Sequence, residues 1–564
     1  MTMALQQLLG DPWDPDNPLG HEAVVAADEA GQLPPGGEEL LDSYGLGAEF
    51  VPAALGGRLT DVDAMARGLR PLFGRDGALG LGYGVTTIMA AVNVWTSGDP
   101  EQQRRLADTV LAGGRAAVCF HELAHGNDFG QQEFAARPEN GSLVLNGRKE
   151  VINNVGRARA LVLFARTDPG AGSRSHSLLL VDPAAVAPAS MRPMPRFGTV
   201  GVRGCELGGV EFTDCRIPES SLIGPPGSGM ETALRAFQIT RAALPSMALG
   251  TLDTQLRVTV RFARERRLYG ATVAELPHAR SLLATAFTGL LTADCLTTAA
   301  CRALHLLPGE AGPYAAAAKY LGPRILLDAS DGLSVVLGAR HYLREGPYAI
   351  FQKHLRDLPV LSLGHAGPLA CLASVVPQLP ALARQSWAND GPPPPDALFA
   401  AGGPLPPLRY DRLALSARGR DPLGAAWPAL GRAVLRESGE SGGHLGTLVR
   451  LLTARFRELA HECAELPRPE RTVTAGPQGF GAAAQYAALL AAAACAGTWL
   501  DRRRHSDPFL GGTAWLTAAL HRLAERLGSA PGQLPTAVED ELLAELFNRH
   551  DRHAGFDLDR LPLA

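Results

Sequence analysis

The hydrophobic pattern of this chain changes its period twice, and these two changes constrain the fold more than any other feature. Apolar residues recur at three- and four-residue spacing over residues 37–115, which predicts helices. Short apolar runs bounded by turn residues then fill residues 116–226, and Asn146 with Gly147 predicts a tight turn between two strands. Helical spacing returns over residues 227–385. We therefore predict a helical domain, a β domain and a helical bundle, in that order.

Three further segments complete the predicted organisation. Residues 1–36 are rich in Pro and Gly and are expected to lie on the surface, whereas the Pro-rich residues 386–410 predict a semi-rigid linker. Residues 411–564 again show helical spacing and predict a C-terminal helical domain. Within that domain residues 481–500 carry no charge, but they are mostly Ala and Gly and include Gln485. This composition favours a close-packed bundle helix, so we expect no membrane span.

Charge and cysteine usage exclude several classes of function. The 564 residues include 53 Lys and Arg against 57 Asp and Glu, so nucleic acid is not an expected partner. None of the eight cysteines forms a CxxC pair, which argues against a disulfide scaffold and a structural zinc site. The run HELAH at residues 121–125 starts on a predicted strand, so we expect no metal there. The N-terminus lacks the pattern of a signal peptide, and we expect a cytoplasmic protein.

Five motifs stand in a characteristic order along the predicted domains. They read VCFHELAHGND at residues 118–128, LNGRKEVINN at 145–154, GVEFTDCRIPESSLIGPPGSGM at 209–230, ARERRLYG at 263–270, and VLGARHYLREGPYAIFQKHLRD at 336–357. In this order and spacing the chain resembles the acyl-CoA dehydrogenase and acyl-CoA oxidase family over about residues 37–382. The last helical domain is similar only in kind to the extra domain of very-long-chain dehydrogenases and acyl oxidases.

The resemblance implies a fold and a chemistry. The fold is mainly α with a central β domain, followed by a four-helix bundle and here an extra C-terminal helical domain. The cofactor is FAD, and the substrate is an acyl thioester on coenzyme A or on an acyl carrier protein. The resemblance places along the flavin Cys119, Phe120, His121, Val151, Ile152 and Asn153, and it implies that the substrate is bound by Asn127 and Arg241.

The residues that match the family's second cofactor motif imply an assembly of subunits. Arg266 matches the arginine that, in the family, reaches the FAD of a neighbouring subunit, and Tyr269 and Gly338 belong to the same implied cofactor site. A guanidinium fork suits a pyrophosphate, since it donates paired hydrogen bonds. The resemblance therefore implies at least a homodimer, with an electron-transfer flavoprotein or an acyl carrier protein as a further partner.

The sequence departs from the family at the catalytic base. The family's catalytic Glu aligns with His365, and the earlier helix on which some relatives carry it reads Gln-Ile-Thr-Arg at residues 238–241. Three alternatives stay open. His365 can itself serve as the base, because an imidazole suits proton transfer near neutral pH. The chain can instead be a non-catalytic thioester-binding homologue or partner subunit. It can also be a flavin monooxygenase, since Val151 replaces a sheltering Trp and leaves the flavin open.

Overall fold

The chain was analysed as a computed structural model, which describes residues 2–170, 172–364, 367–388, 393–440 and 442–563. Its elements follow the predicted order of helical domain, β domain, helical bundle and C-terminal helical domain, so the predicted fold class is confirmed. His365 lies outside the described residues.

Short helices build the N-terminal domain. The last of them begins at Pro100 because Asp99 caps it, accepting hydrogen bonds from the amides of Glu101 and Gln102. The Pro- and Gly-rich residues 1–36 were expected on the surface, but Leu5 and Val24 there are fully buried on two helices. The helices are α1 Thr2–Leu9, α2 His21–Glu29, α3 Gly37–Tyr44, α4 Val62–Gly68, α5 Arg70–Arg75, α6 Gly77–Leu79, α7 Thr86–Ser97 and α8 Pro100–Leu111.

A mixed, mainly antiparallel sheet of eight strands forms the β domain. Its strands are β1 Ala116–Cys119, β2 Ala135–Glu139, β3 Ser142–Asn153, β4 Ala160–Arg166, β5 His176–Val181, β6 Met191–Met194, β7 Leu207–Pro218 and β8 Leu222–Ile223. They run in the order β6-β7-β3-β2-β4-β5-β8, and β1 pairs parallel to β4.

The turn predicted at Asn146 and Gly147 is wrong. Both residues lie inside β3, where the register against β7 shifts at a bulge between Leu145 and Gly147. The hairpin turns instead at Asn140 and Gly141, which both have positive φ, 50° and 76°. Two successive residues in the left-handed region match the type I′ turn that suits the twist of paired strands.

The sheet has two buried faces. One face packs a core inside the β domain, to which β1 contributes Ala117 and Cys119. The other face packs against the helices, and Ala116 of β1 and Phe120 directly after it contribute to this core. Successive side chains of a strand point to opposite faces, so the side chains along β1 enter the two cores alternately.

Long helices form the bundle. They are α9 Gly229–Met247, α10 Leu249–Glu265, α11 Pro277–Leu306 and α12 Ala311–Leu337, with a small hairpin β9 Arg267–Leu268 and β10 Ala271–Thr272 after α10. Shorter helices follow, α13 Ile350–Asp357, α14 Val360–Leu363, α15 Pro368–Val375 and α16 Leu379–Leu382. A Cβ placed on Gly312 would lie 3.7 Å from Gln238 Cδ, and one on Gly322 would lie 3.0 Å from Pro245 Cβ. The later residue of α9 thus lies beside the later residue of α12, so the two helices run parallel.

The C-terminal domain covers the α11 and α12 side of the bundle. Its helices are α17 Pro422–Ala425, α18 Trp427–Ser438, α19 His444–Ala464, α20 Pro477–Arg504, α21 Thr513–Arg526 and α22 Thr536–Asp551. The described part of the predicted linker is packed rather than free, since Leu398 is fully buried and Phe399 lies against Gly497.

Among the described residues four helical stretches are long and apolar enough to cross a membrane by length and composition. They are Gly77–Ser97, Pro277–Leu306, Ile350–Trp387 and Pro477–Arg504. The last contains the uncharged residues 481–500, and 78% of its most apolar window is buried inside the protein. Packing against α11, α12 and α21 therefore accounts for the low polarity of this helix.

Candidate active site

Four phenylalanines form an apolar wall where the helical face of the sheet meets α9. Phe120 follows β1, Phe129 lies in the next loop, Phe164 is on β4 and Phe237 is on α9. Phe120 lies 5.5 Å from Phe164 and 5.8 Å from Phe237 between ring centroids, and Phe129 lies 5.8 Å from Phe164 and 6.0 Å from Phe237. These are the spacings of tilted and edge-to-face aromatic pairs. This phenylalanine wall makes the contact between the sheet and α9 apolar.

A buried ion pair supports the loop that carries Phe129. Lys149 Nζ lies 2.7 Å from Glu122 Oε1 and donates a hydrogen bond to Gln132 Oε1 at 2.8 Å. Glu122 also accepts hydrogen bonds from the amides of Glu133 and Phe134. Burial lowers the pKa of Lys149 to about 8 while Glu122 opposes this change. Burial alone would raise the pKa of Glu122, but Lys149 holds it below its ordinary value. The loop is thus tied to β3 at both of its ends.

The structure divides the predicted flavin residues at the end of β1 and on β3 by the face of the sheet that they occupy. Phe120 belongs to the phenylalanine wall, and half-buried His121 brings Nδ1 to 3.2 Å from the Glu150 carbonyl oxygen. Cys119 and Ile152, in contrast, turn their side chains into the core of the β domain. Because the side chains of a strand alternate between faces, only the backbone of these two residues faces the helical side, and their place along a flavin stays a prediction.

Val151 has a strained backbone. Its φ is 57°, and it is the unpaired residue at a bulge where the register of β3 and β7 shifts between Glu150 and Ile152. A β-branched residue rarely adopts the left-handed region. Such strain persists only where surrounding contacts enforce it, and it concentrates at ligand sites.

Asn153, the last predicted flavin residue on β3, is bonded to the N-terminal domain. Its Nδ2 donates to Thr86 Oγ1 at 2.7 Å and to the Leu81 carbonyl oxygen at 3.3 Å. Its Oδ1 is buried and has no hydrogen-bond partner among the described residues. A buried acceptor of this kind is costly unless a ligand or water donates to it.

The two predicted substrate residues reach the site from opposite sides. Asn127 lies in the loop of the β domain, and its Nδ2 would be 3.4 Å from a Cβ placed on Gly367. Arg241 on α9 is only 4% exposed and lies with Cζ 5.8 Å from the centroid of the Phe237 ring. Within the described residues its guanidinium makes neither a hydrogen bond nor an ion pair.

The second position where relatives carry the catalytic carboxylate is engaged by the C-terminal segment. Gln238, one turn before Arg241, donates Nε2 to the Ala414 carbonyl oxygen at 2.9 Å. Arg235 likewise donates to the Tyr410 carbonyl oxygen at 2.9 Å. This part of α9 is therefore held by backbone groups that precede α17, and its residues 238–241 include no carboxylate.

Lys319 on α12 is a buried cation that the sequence analysis did not single out. It is 1% exposed, and its Nζ donates to the carbonyl oxygen of Leu361, which lies on α14. Burial lowers the pKa of Lys319 to about 8, and the charge of Arg241 lowers it further while Cys371 opposes it. One signal was available in the sequence. The chain has only three lysines, Lys149, Lys319 and Lys353, and all three are buried.

Arg266, Tyr269 and Gly338 form a separate group at the far end of the bundle. Tyr269 is 96% exposed, and among the described residues the Arg266 side chain has no hydrogen bond or ion pair. Neighbouring Glu265 pairs instead with Arg261 at 3.1 Å and with the Tyr348 hydroxyl. Gly338 ends α12 with φ 55°, and the rise of a helix puts it about 28 Å along the axis from Lys319. One chain therefore does not bring this group to the phenylalanine wall.

Two family models match the chain. The model described as acyl-CoA dehydrogenase, middle domain, matches residues 117–215, and the one described as acyl-CoA dehydrogenase, C-terminal domain, matches residues 227–375. The chain is similar to the mitochondrial short-chain specific acyl-CoA dehydrogenase of Homo sapiens, with 29% identity over 336 residues. That alignment covers 57% of this chain and 77% of the human protein.

Solved structures share the fold. The butyryl-CoA dehydrogenase of Megasphaera elsdenii aligns with a TM-score of 0.58 at 20% identity, covering 66% of this chain and 96% of that one. The prolyl acyl carrier protein oxidase AnaB aligns with a TM-score of 0.55 at 17% identity, covering 65% of this chain and 94% of that one.

Proposed function

The chain belongs to the acyl-CoA dehydrogenase family, and from that premise we propose that it is an FAD-dependent oxidoreductase acting on an acyl thioester. The thioester is carried on coenzyme A or on an acyl carrier protein. The observation that carries the proposal is the phenylalanine wall between sheet and bundle, with the Arg241 guanidinium over its Phe237 ring and Asn127 in the same loop as its Phe129. An apolar surface with a few convergent polar groups is typical of a ligand site.

The residues present fit a flavin. The Oδ1 of Asn153 is a buried acceptor with no partner among the described residues, and Phe120 supplies an apolar surface on the helical side of the sheet. Arg266, which pairs with none of the described residues, offers a guanidinium suited to the pyrophosphate of a cofactor held by a second subunit. When bound, the flavin would supply the acceptor for the hydride from the substrate β-carbon.

The remaining chemistry falls to side chains of this chain. Asn127 would orient the thioester arm, and the phenylalanine wall would exclude water from the acyl group. A base must take the α-proton, and we propose His365 for that role from its position in the sequence. A neutral imidazole accepts a proton at neutral pH, whereas an imidazolium does not.

A non-catalytic thioester-binding homologue, or the partner subunit of an active one, is the alternative that a specific observation favours. The segment 238–241, where some relatives carry the Glu, holds no carboxylate, and its Gln238 is bonded to the backbone of Ala414, so this segment supplies no carboxylate base. Such a chain would keep the binding surface without proton transfer. A flavin monooxygenase needs no α-proton base, but oxygen must reach its flavin, and Val151 in place of the family's Trp would permit this.

We further propose a homodimer in the cytoplasm that exchanges electrons with an electron-transfer flavoprotein or receives its substrate from an acyl carrier protein. Exposed apolar side chains beside Arg266 support the dimer, among them Leu268, Val335, Tyr342 and Leu343. The C-terminal domain already covers the α11 and α12 side of the bundle, which supports a dimer over a larger assembly.

The deciding experiment is an absorption spectrum followed by anaerobic titration with acyl thioesters. We expect a yellow protein whose flavin absorbance bleaches as a saturated acyl-CoA or acyl carrier protein is added. Bound flavin that no thioester bleaches, in a protein that still binds thioesters, would select the non-catalytic alternative. Bound flavin that turns over oxygen and a reduced nicotinamide with substrate would select the monooxygenase. A colourless protein that binds no flavin would overturn the proposal.

A further inference from the structure

A cavity of about 430 Å³ lies where the N-terminal segment and the C-terminal tail both meet the bundle. The loop between α1 and α2, helix α5, residues 249–258 of α10 and residues 553–563 after α22 contribute to the lining of this junction cavity. None of the four residues of the phenylalanine wall lines it, and Phe237 precedes Met247, the end of α9, by ten residues, or about 15 Å of helix. The junction cavity is therefore separate from the candidate active site. Its size and its position between domains are those of a small-molecule site.

The junction cavity has apolar walls. Leu249 and Val258 of α10 are buried beside it, and Leu563 of the tail is half-buried there. Trp13 adds an indole ring, whose centroid lies 4.7 Å from that of the His21 ring in edge-to-face packing. These side chains can enclose the apolar body of a ligand.

Two buried nitrogen atoms of the lining have no partner among the described residues. They are Nδ1 of His21, a residue that is 7% exposed, and Nη1 of Arg257. Arg257 lies one helical turn before Arg261, whose Cζ is 4.2 Å from the centroid of the Trp13 ring, so His21 and Arg257 lie near the same tryptophan. Buried polar atoms are normally hydrogen-bonded, so these two atoms indicate a ligand group inside the cavity.

Arg75 brings a buried positive charge to the same lining, since it is 4% exposed. Its guanidinium donates to three backbone carbonyl oxygens, those of Leu9, Gly10 and Leu19. Burial lowers the pKa of Arg75 to about 10, and the charge of exposed Asp11 opposes this change only in part. Burial, and then the Arg75 charge, hold the pKa of His21 well below its usual value. This imidazole is therefore neutral, and its surroundings favour an anion.

The buried carboxylates of the lining do not supply that anion, because they already pair with other cations. Asp253 pairs with Arg257 at 3.0 Å, and Asp557 pairs with Arg70 at 2.8 Å. Within the described part of the chain Arg75 has no ion-pair partner. Buried charges are normally paired, since removing them from water is costly. An anionic ligand would supply the missing negative charge.

We propose that the junction cavity is a second ligand site, which binds a small molecule made of a carboxylate and an apolar body. The carboxylate accepts hydrogen bonds from Arg257 Nη1 and His21 Nδ1 and offsets the charge of Arg75, and hydrogen bonds to an ionised group are the strong ones. The apolar body lies against Trp13 and Leu563. Such a ligand touches the N-terminal segment, the bundle and the C-terminal tail at once, so its binding stabilises their contact and needs no flavin.

The test is titration calorimetry of the full chain with phenylacetate and with phenylacetamide, which has the same shape without the charge. We expect phenylacetate to bind roughly 10- to 150-fold more tightly than phenylacetamide, the range for a charge-assisted hydrogen bond. Arg257→Lys, which keeps the charge beside Asp253, and His21→Phe, which keeps the ring against Trp13, should each bring this ratio toward one. No phenylacetate binding at millimolar concentration, a ratio at or below one, or a ratio unchanged in both variants overturns the proposal.

Controls locate the binding. Leu563→Trp fills the cavity from the half-buried tail without removing a charge, and it should weaken phenylacetate binding by roughly 10-fold or more. Phenylacetate should raise the thermal midpoint of the wild type more than that of Leu563→Trp, which also shows that the variant is folded. Arg264→Lys is the matched control, because Arg264 lies on α10 outside the lining and pairs with Asp551. Equal effects of Arg264→Lys and Arg257→Lys would overturn the assignment. Phenylacetate that competes with butyryl-CoA and binds Leu563→Trp as tightly as the wild type would lie in the active site, and this result would also overturn it.

Discussion

Lys149 Nζ lies 2.7 Å from Glu122 Oε1 with both side chains buried, and this contact joins the loop after β1 to the middle of β3. The pair fixes the two chain segments that carry Phe120 and Val151, one on each side of the predicted flavin. Its removal would therefore change both the stability of the β domain and the geometry of the site.

Breaking this pair from one side should be costly. We expect Lys149→Met to lower the free energy of unfolding by ~3–5 kcal/mol, because Glu122 would remain buried without its counter-charge. The double variant Lys149→Met with Glu122→Gln should lose less than that, since no charge is stranded. Urea unfolding of the two single variants and the double variant measures the coupling, and a double variant at least as unstable as the sum of the single ones would contradict it.

Acid should destabilise the protein through His354. This residue on α13 is fully buried, and burial with the Lys353 charge lowers the pKa of its imidazole to about 3. The unfolded chain binds this proton near pH 6.5, so the contribution to stability is complete above pH 6.5 and falls as the pH drops toward 3. By pH 5 the loss reaches about 2 kcal/mol. In His354→Leu the urea midpoints at pH 7 and pH 5 should lie closer together than in the wild type. An equal loss of stability in wild type and variant would show that another group causes the acid effect.

The left-handed backbone at Val151 predicts an unusual tolerance of glycine. Val151→Gly removes strain of ~1–2 kcal/mol, which offsets the flexibility that glycine adds to the unfolded chain. We expect the free energy of unfolding to stay within ~1 kcal/mol of the wild type. Val144→Gly on the same strand is the matched control, and it should cost roughly 2–4 kcal/mol because Val144 is buried and lacks positive φ. Equal costs at both positions would argue against strain.

If FAD is shared between subunits, Arg266 contributes to its affinity. Arg266→Ala should weaken FAD binding roughly 10- to 150-fold, the range for a charge-assisted contact to a pyrophosphate. Arg267→Ala is the neighbouring control, because that guanidinium already bonds to the Gly270 carbonyl oxygen. Flavin release measured by fluorescence gives the affinity, and sedimentation gives the assembly. Equal FAD affinities in the wild type and Arg266→Ala would remove Arg266 from the cofactor site.

His365 decides the proton transfer. If it is the base, thioester-dependent flavin reduction should rise through a pKa of ~6–7 and level off above it. His365→Ala should then lose ~10²–10⁴-fold in the reduction rate with FAD still bound. His365→Glu restores the family's carboxylate and should support reduction at lower pH. A pH-independent rate in the wild type, or full activity in His365→Ala, would exclude His365 as the base.

Much of the fold follows from local pattern. The spacing of apolar residues changes near residue 116, where β1 begins, and again near residue 227, close to the start of α9. Sequence shows these changes because the spacing within a helix or a strand is set by that element alone. The same holds for Pro100, where a proline after a capping Asp starts α8. The motif order predicted the family, and the matched family models confirm it.

Pairing between distant elements decided the rest. Asn146 and Gly147 have the composition of a turn, yet the pairing of β3 with β7 carries the strand through them and leaves a bulge. The side of the sheet on which Cys119 and Ile152 lie depends on the register of that pairing, which a motif does not contain. Lys319 sits in an alanine-rich stretch, where only the scarcity of lysine in the chain marks it. Only the packing of α9 against α12 sets it beside Arg241, because the electrostatics of a buried site depend on which charges the fold brings together.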